Sequence, residues 1–255
     1  MRLLVFIFFF PIFLKAQEIK LLSQDSLTAK YDVFWGKDVV GCTYFSKQND
    51  VFKVCDNHVA NFTSNLGGKL TNVDVFNSLN VFLFYKNTNT IVVLDKQTNP
   101  IKSVTSTAIL FDFVTPASQN DFWFYDNFTQ KIGLYNLNTD SHRMISNVIQ
   151  NKIIYAHSDY NSFYWIDDTF TYYSIDKFGK IKNLGVVPTF EQISFVSFDK
   201  WLLLKENQIW FYDYNQKKLK ALHIEEKIIK NFCFKDGILA IFTENLIRNY
   251  QLKFE

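Results

Sequence analysis

Residues 122–138 read FWFYDNFTQKIGLYNLN: an aromatic-rich run, a short polar turn, and a second run in which apolar and polar residues alternate. Two such runs around a polar turn are the signature of a β-hairpin. The same pattern recurs as VGCTYFSKQNDVFKVCD from Val40, VFLFYKNTNTIVVLDK after Asn80, FYWIDDTFTYYSIDK after Ser162, LLLKENQIWFYDYN after Trp201 and LAIFTENLIRNYQL after Ile238. The six copies start 40, 41, 41, 39 and 37 residues apart. A period near 40 in an all-strand sequence predicts a radial array of four-stranded blades.

Each hairpin is preceded by a further apolar run, from Tyr31-Asp32-Val33-Phe34-Trp35 through Val73-Asp74-Val75-Phe76, Ile109 to Val114, Ile153 to Ala156 and Ile193 to Phe198 to Phe232-Cys233-Phe234. These are expected to be the innermost strands around a central channel. A more polar run closes each unit, as in Ile101-Lys102-Ser103-Val104, Lys180 to Leu184 and Leu219-Lys220-Ala221-Leu222, and is expected at the outer edge, where lysines discourage edge-to-edge pairing. The last copy ends on its third strand, whereas Ile19-Lys20-Leu21-Leu22 has no unit of its own. The expected fold is therefore all-β: a six-bladed β-propeller of four-stranded antiparallel blades over residues 18–255, its ring closed by the N-terminal strand pairing onto Leu246 to Leu252.

Leu94-Asp95-Lys96, Ile175-Asp176-Lys177-Phe178-Gly179 and Tyr212-Asp213-Tyr214-Asn215 carry a hydrophobic-Asp turn before the outer strand. In this the chain resembles the broad superfamily of quinoprotein-type and kelch-type propellers. The resemblance is one of architecture. The Trp-Asp endings of WD repeats, the paired glycines of kelch repeats and the Asp-box of sialidases are missing, so no family role passes to any residue.

Residues 1–17 read as a cleavable secretory signal: Arg2 gives a positive start, Leu3 to Leu14 is almost wholly apolar, and Ala16-Gln17 is a small, polar exit. The apolar run, broken by Pro11, is shorter than the roughly twenty residues that span a bilayer. Cleavage after Gln17 would leave 25 basic and 25 acidic residues. Such a balance argues against nucleic acid or an anionic membrane surface as partner. The heavy use of Phe, Asn, Lys and Ile and the Ala-Gln exit resemble exported proteins of the Bacteroidota. The expected location is the periplasm, with association to the outer membrane, and no membrane insertion after cleavage.

If the first hairpin turns at Gln48-Asn49, residues whose numbers add to 97 face one another, and Cys42 and Cys55 form such a pair. They fall on a non-hydrogen-bonded pair, about 4.5 Å between α-carbons, within the reach of a disulfide. Cys233 is left over as a packed residue of an inner strand.

The chemistry-bearing residues are sparse. His58, His142, His157 and His223 belong to different repeats and have no metal-ligand spacing. His157, followed by Ser158-Asp159 near a ring face, is the best candidate, within reach of Asp167 or Asp168. Asp38, Asp159, Asp199 and Asp236 recur after the innermost strand, where Asp is a preferred turn former; Asp74 and Asp112 are candidates to hold a polar ligand or metal inside the channel. No phosphate loop, nucleophile elbow or cofactor motif is present, and no cofactor is expected. The leading expectation is a non-catalytic propeller that binds another envelope protein or acts as a scaffold subunit. A carbohydrate or small-ligand binder and a channel-centred hydrolase or lyase stand as alternatives.

Overall fold

The computed structural model describes residues 18–26, 31–56, 58–66, 68–75, 79–118, 120–197, 199–235, 237–244 and 246–253. The signal segment, Phe76, Phe198, Asp236 and Asn245 lie outside the described residues. The strands in chain order are β1 (Glu18–Ser26), β2 (Val33–Lys37), β3 (Thr43–Lys47), β4 (Asp50–Cys55), β5 (His58–Phe62), β6 (Asn72–Asp74), β7 (Val81–Tyr85), β8 (Thr90–Leu94) and β9 (Pro100–Thr105). They continue as β10 (Phe111–Pro116), β11 (Asp121–Asp126), β12 (Lys131–Asn136), β13 (Ser141–Met144), β14 (Ile153–Ser158), β15 (Ser162–Asp167), β16 (Thr171–Asp176) and β17 (Ile181–Val186). The last are β18 (Gln192–Ser197), β19 (Lys200–Lys205), β20 (Gln208–Asp213), β21 (Lys218–Ala221), β22 (Asn231–Lys235), β23 (Ile238–Phe242) and β24 (Leu246–Lys253).

These form six antiparallel sheets of four strands, five of them in simple chain order from β2-β3-β4-β5 to β18-β19-β20-β21. The sixth is ordered β22-β23-β24-β1. The first strand of the chain is thus the outer strand of the last blade, with Ile19 opposite Leu252 and Leu21 opposite Tyr250. Closure in this way covers the edge of β24, which would otherwise template pairing with another chain. The pairing runs on to Ser26 opposite Leu246, longer than the four residues expected, after an irregularity between Leu21 and Ser23.

The core is divided among the gaps between blades. In β7 all five residues are buried, because alternate side chains enter two different gaps. Val81, Leu83 and Tyr85 pack with Tyr44 and Val51 of the first blade. Phe82 and Phe84 pack with Phe111, Phe122 and Phe124 of the third. Each fully buried large side chain contributes about 1.5–3 kcal/mol, so the aromatic residues act chiefly as mortar between blades. The outer strands β9, β13 and β21 are mostly exposed, which accounts for their polar sequences.

The innermost strands are shifted relative to the apolar runs: β6 is only Asn72–Asp74, and β10 begins at Phe111 rather than Ile109. Bulges fall in β2, β10, β14 and β18, sharpening the twist where the strands crowd the axis. At the β2 bulge Gly36 has φ +140°, a backbone state that side chains with a Cβ rarely adopt.

The β3–β4 hairpin has the expected register, with Lys47 opposite Asp50 and Thr43 opposite Val54. Cys42 and Cys55 are bonded, their α-carbons 4.4 Å apart. The corresponding turn in the fifth blade, Glu206-Asn207, has both residues at positive φ (54° and 58°), the state that suits right-twisted hairpins.

Candidate functional site

The six innermost strands surround a cavity of about 640 Å³ that reaches the last residue of each: Lys37, Asp74, Pro116, Ser158, Ser197 and Lys235. On the side of the fourth and fifth blades its wall is aromatic. The His157 ring lies flat on Tyr164 at 4.7 Å and against Phe195 at 3.7 Å between centroids, and Tyr155 stacks on Phe195 at 5.8 Å. Across the axis lies Trp35, whose indole N–H donates to Ser46 Oγ at 3.0 Å, while Cys233 lines the cavity from the sixth blade, next to the fifth.

Burial sets the state of the titratable groups here. Desolvation pushes the His157 pKa down to about 3, because burial among the packed rings penalises the charged imidazolium. The Nε2 of His157 is bonded to the Tyr172 hydroxyl at 3.1 Å. The Cys233 thiol is pushed up to about 12 by desolvation, against the opposing pull of Lys37 and Lys235. The Tyr155 hydroxyl is raised by desolvation and, secondarily, by the charge of Asp74.

Asp74 and His157 therefore share this cavity, but Asp112 and Asp159 do not line it. Asp112, at the start of β10 beside a bulge, pairs with Lys86 of the second blade. Asp159 sits in the turn after β14, where it accepts from the backbone N–H groups of Asn161 and Ser162 and from the Tyr164 hydroxyl at 2.9 Å. Nor does His157 meet Asp167. In the β14–β15 ladder His157 is opposite Tyr164, whereas Asp167 is opposite Ile153 at the far end and bonds Asn151 and Thr169.

Asp38 and Asp159 cap local N–H groups of their own turns, whereas Asp199 is held by side chains. Asp38 accepts from Val40 N and Cys42 N, takes the Tyr44 hydroxyl at 3.2 Å, and forms a buried ion pair with Lys53 at 3.3 Å. Asp199 accepts from Ser197 Oγ and Asn215 Nδ2. Among the described residues no group of three His, Cys, Asp or Glu side chains could hold a metal ion.

Sequence reasoning did not single out Trp35, Thr115, Tyr155 or Phe195. The signal was in the period: Asp74, Thr115 and His157 are opposite Phe82, Trp123 and Tyr164, which are spaced 41 residues apart, so they are equivalent positions of three blades. Two of the three were chosen for their chemistry, and Thr115 was passed over because threonine in a strand is unremarkable by composition.

No family model matches the chain, and no curated protein matches it. Solved structures are similar in fold. Virginiamycin B lyase from Staphylococcus aureus is 14% identical, with 88% of this chain and 81% of that chain covered at a TM-score of 0.60. A protein of unknown function from Bacteroides thetaiotaomicron is 16% identical over 93% of this chain and 76% of that chain, at 0.65. A chain of the mitotic checkpoint complex is 7% identical over 98% of both, at 0.61. One ring thus serves an enzyme, an assembly and a protein without assigned function, and at these identities the likeness is of fold alone. By its structure this chain is a six-bladed β-propeller.

Proposed function

We propose that this chain is an exported, non-catalytic binding propeller that holds another protein of a bacterial cell envelope, in the periplasm and within an assembly at the outer membrane. The observation that carries the reading is an exposed aromatic side chain on a rigid base. Phe128, 81% exposed, tips the β11–β12 turn, flanked by the exposed Leu110 and Val148 from the two adjoining interblade loops. The buried carboxylate of Asp126 accepts from Leu110 N (2.9 Å), Phe128 N (3.1 Å) and the Thr129 hydroxyl (2.6 Å). Backbone bonds from Asn127 N to Leu110 O and from Ile149 N to Gln130 O tie in both loops. A preorganised aromatic tip loses little entropy on docking and suits the centre of a protein interface.

The states of the channel groups support a role without catalysis. A general base needs a pKa near the working pH and a thiol nucleophile needs its thiolate; His157 is held neutral and Cys233 protonated. The Cys42–Cys55 bond supports an oxidising compartment. The test is crosslinking and co-purification from the native envelope, comparing wild type with Phe128→Ser. Wild type should retain a discrete partner over an interface of about 800 Å² per side. The variant, with an unchanged urea midpoint, should lose it. A lone wild-type monomer after crosslinking, or a partner kept equally by the variant, refutes the proposal.

A further inference from the structure

We infer that the outer rim of the third, fourth and fifth blades is a docking surface for an anionic lipid bilayer. The balanced charge of the chain conceals an uneven distribution around the ring. Lys177, Lys180 and Lys182 stand in β17 and the turn before it, and Lys217, Lys218 and Lys220 in β21 and the turn before that. Arg143 of β13 makes seven cations, all exposed, and among the described residues none of the seven is in an ion pair. The same strands and turns carry three carboxylates, each engaged: Asp140 with Lys102, Asp176 with the N–H groups of Phe178 and Lys180, and Asp213 with Gln216 N. From the adjoining strands and turns come Lys200, opposite Asp213, and the carboxylates of Asp121 and Asp199, which bond Asn136 and Asn215. Even with these the count is eight cations against five carboxylates.

The stripe is continuous from blade to blade. Arg143 Nη2 donates to Lys177 O of the fourth blade at 3.3 Å, and a Cβ on Gly185 of β17 would stand 3.3 Å from the Tyr214 hydroxyl and 3.9 Å from Lys217 Nζ of the fifth. The outer strand of the first blade and the turn before it, residues 56–62, hold no Lys or Arg. Lysines alone would only guard the open strand edges against pairing. Here they alternate with apolar side chains held in water: Phe178, 86% exposed, Val186, 64% exposed, and the exposed Ile181 and Leu219. Guarding an edge calls for charge and gives no reason for an exposed phenylalanine. A bilayer surface uses both, since lipid phosphates attract the cations and the interface takes up the apolar side chains. Cations spread along three blades match an extended surface rather than a single phosphate. The turns that carry Phe178 and Lys217 lie at the opposite end of their blades from the kind of turn that carries Phe128, as alternating antiparallel strands require, so this surface is separate from the partner face.

The test sediments the purified mature protein with vesicles of phosphatidylethanolamine and phosphatidylglycerol, with phosphatidylcholine vesicles and soluble polygalacturonate as comparisons. Wild type should bind the anionic vesicles and not phosphatidylcholine, and binding should fall at least about tenfold between about 0.05 M and 0.5 M salt. Each lysine near an anionic surface contributes about fivefold, so Lys182→Gln/Lys220→Gln should weaken vesicle binding about 25-fold. Phe178→Ser should weaken it about threefold to fivefold, while leaving any binding of polygalacturonate, which engages charge alone, unchanged. All three residues are exposed, so the urea midpoints of these variants should match wild type. Phe128→Ser should leave vesicle binding unchanged, which keeps the result independent of the protein partner. Absence of sedimentation with anionic vesicles, equal sedimentation with phosphatidylcholine, unchanged binding by the lysine variant, or a Phe178→Ser variant that binds vesicles like wild type overturns the inference.

Discussion

Reducing the Cys42–Cys55 bond should destabilise the ring by about 3 kcal/mol and leave it folded. The bridge closes a loop between residues 13 apart, and the chain-entropy relation for such a loop gives about 3 kcal/mol at 25 °C. Little else changes on reduction. The β3–β4 ladder keeps its register from Lys47–Asp50 to Thr43–Val54, and Cys42 stays packed with Tyr44, Val51 and Leu70. For a chain of this size the urea slope is about 3 kcal/mol per molar, so the midpoint should fall by about 1 M. The assay compares oxidised protein, reduced protein and Cys42→Ala/Cys55→Ala by fluorescence in urea, and the last two should nearly coincide. Alkylation in denaturant without reductant should add one group per chain, at Cys233. Coincident midpoints for the oxidised and reduced forms would falsify the reasoning.

Two further outcomes follow from buried groups. His157 has a folded pKa of about 3 against an ordinary 6.5, so between those values the unfolded chain takes up a proton that the folded chain refuses. Its contribution is complete above pH 6.5 and falls as pH drops toward 3, by at most about 1.4 kcal/mol per pH unit. The stability difference between wild type and His157→Phe should therefore shift in favour of the variant from pH 7 to pH 5, and a difference that does not change with pH sinks the assignment. Gly133 lies opposite Phe124, whose ring covers it; a Cβ there would stand 2.8 Å from Phe124 Cε1 and 2.9 Å from Arg143 O. Gly→Ala in a strand ordinarily stabilises by about 0.5–1 kcal/mol, but Gly133→Ala should destabilise by about 1–3 kcal/mol. Thermal unfolding decides the sign.

The repeat and the cysteine pairing were legible in the sequence because both depend on local periodicities. A strand period of two, a hairpin turn and a blade period near 40 are written in consecutive residues. They were enough to place β1 on β24 and Cys42 opposite Cys55. The channel could not be read in this way. Whether Asp74, Asp112 and His157 meet depends on bulges and on where each inner strand begins, and one residue of shift moves a side chain to the other face of its blade. The bulge beside Asp112 and its proximity to Lys86 of the neighbouring blade took it out of the channel, whereas Thr115, with no chemical signature in the sequence, came to line it. Local pattern determined the blades; the cavity wall and the neutral imidazole arise only where six strands distant in sequence converge, because burial and pairing are properties of that convergence.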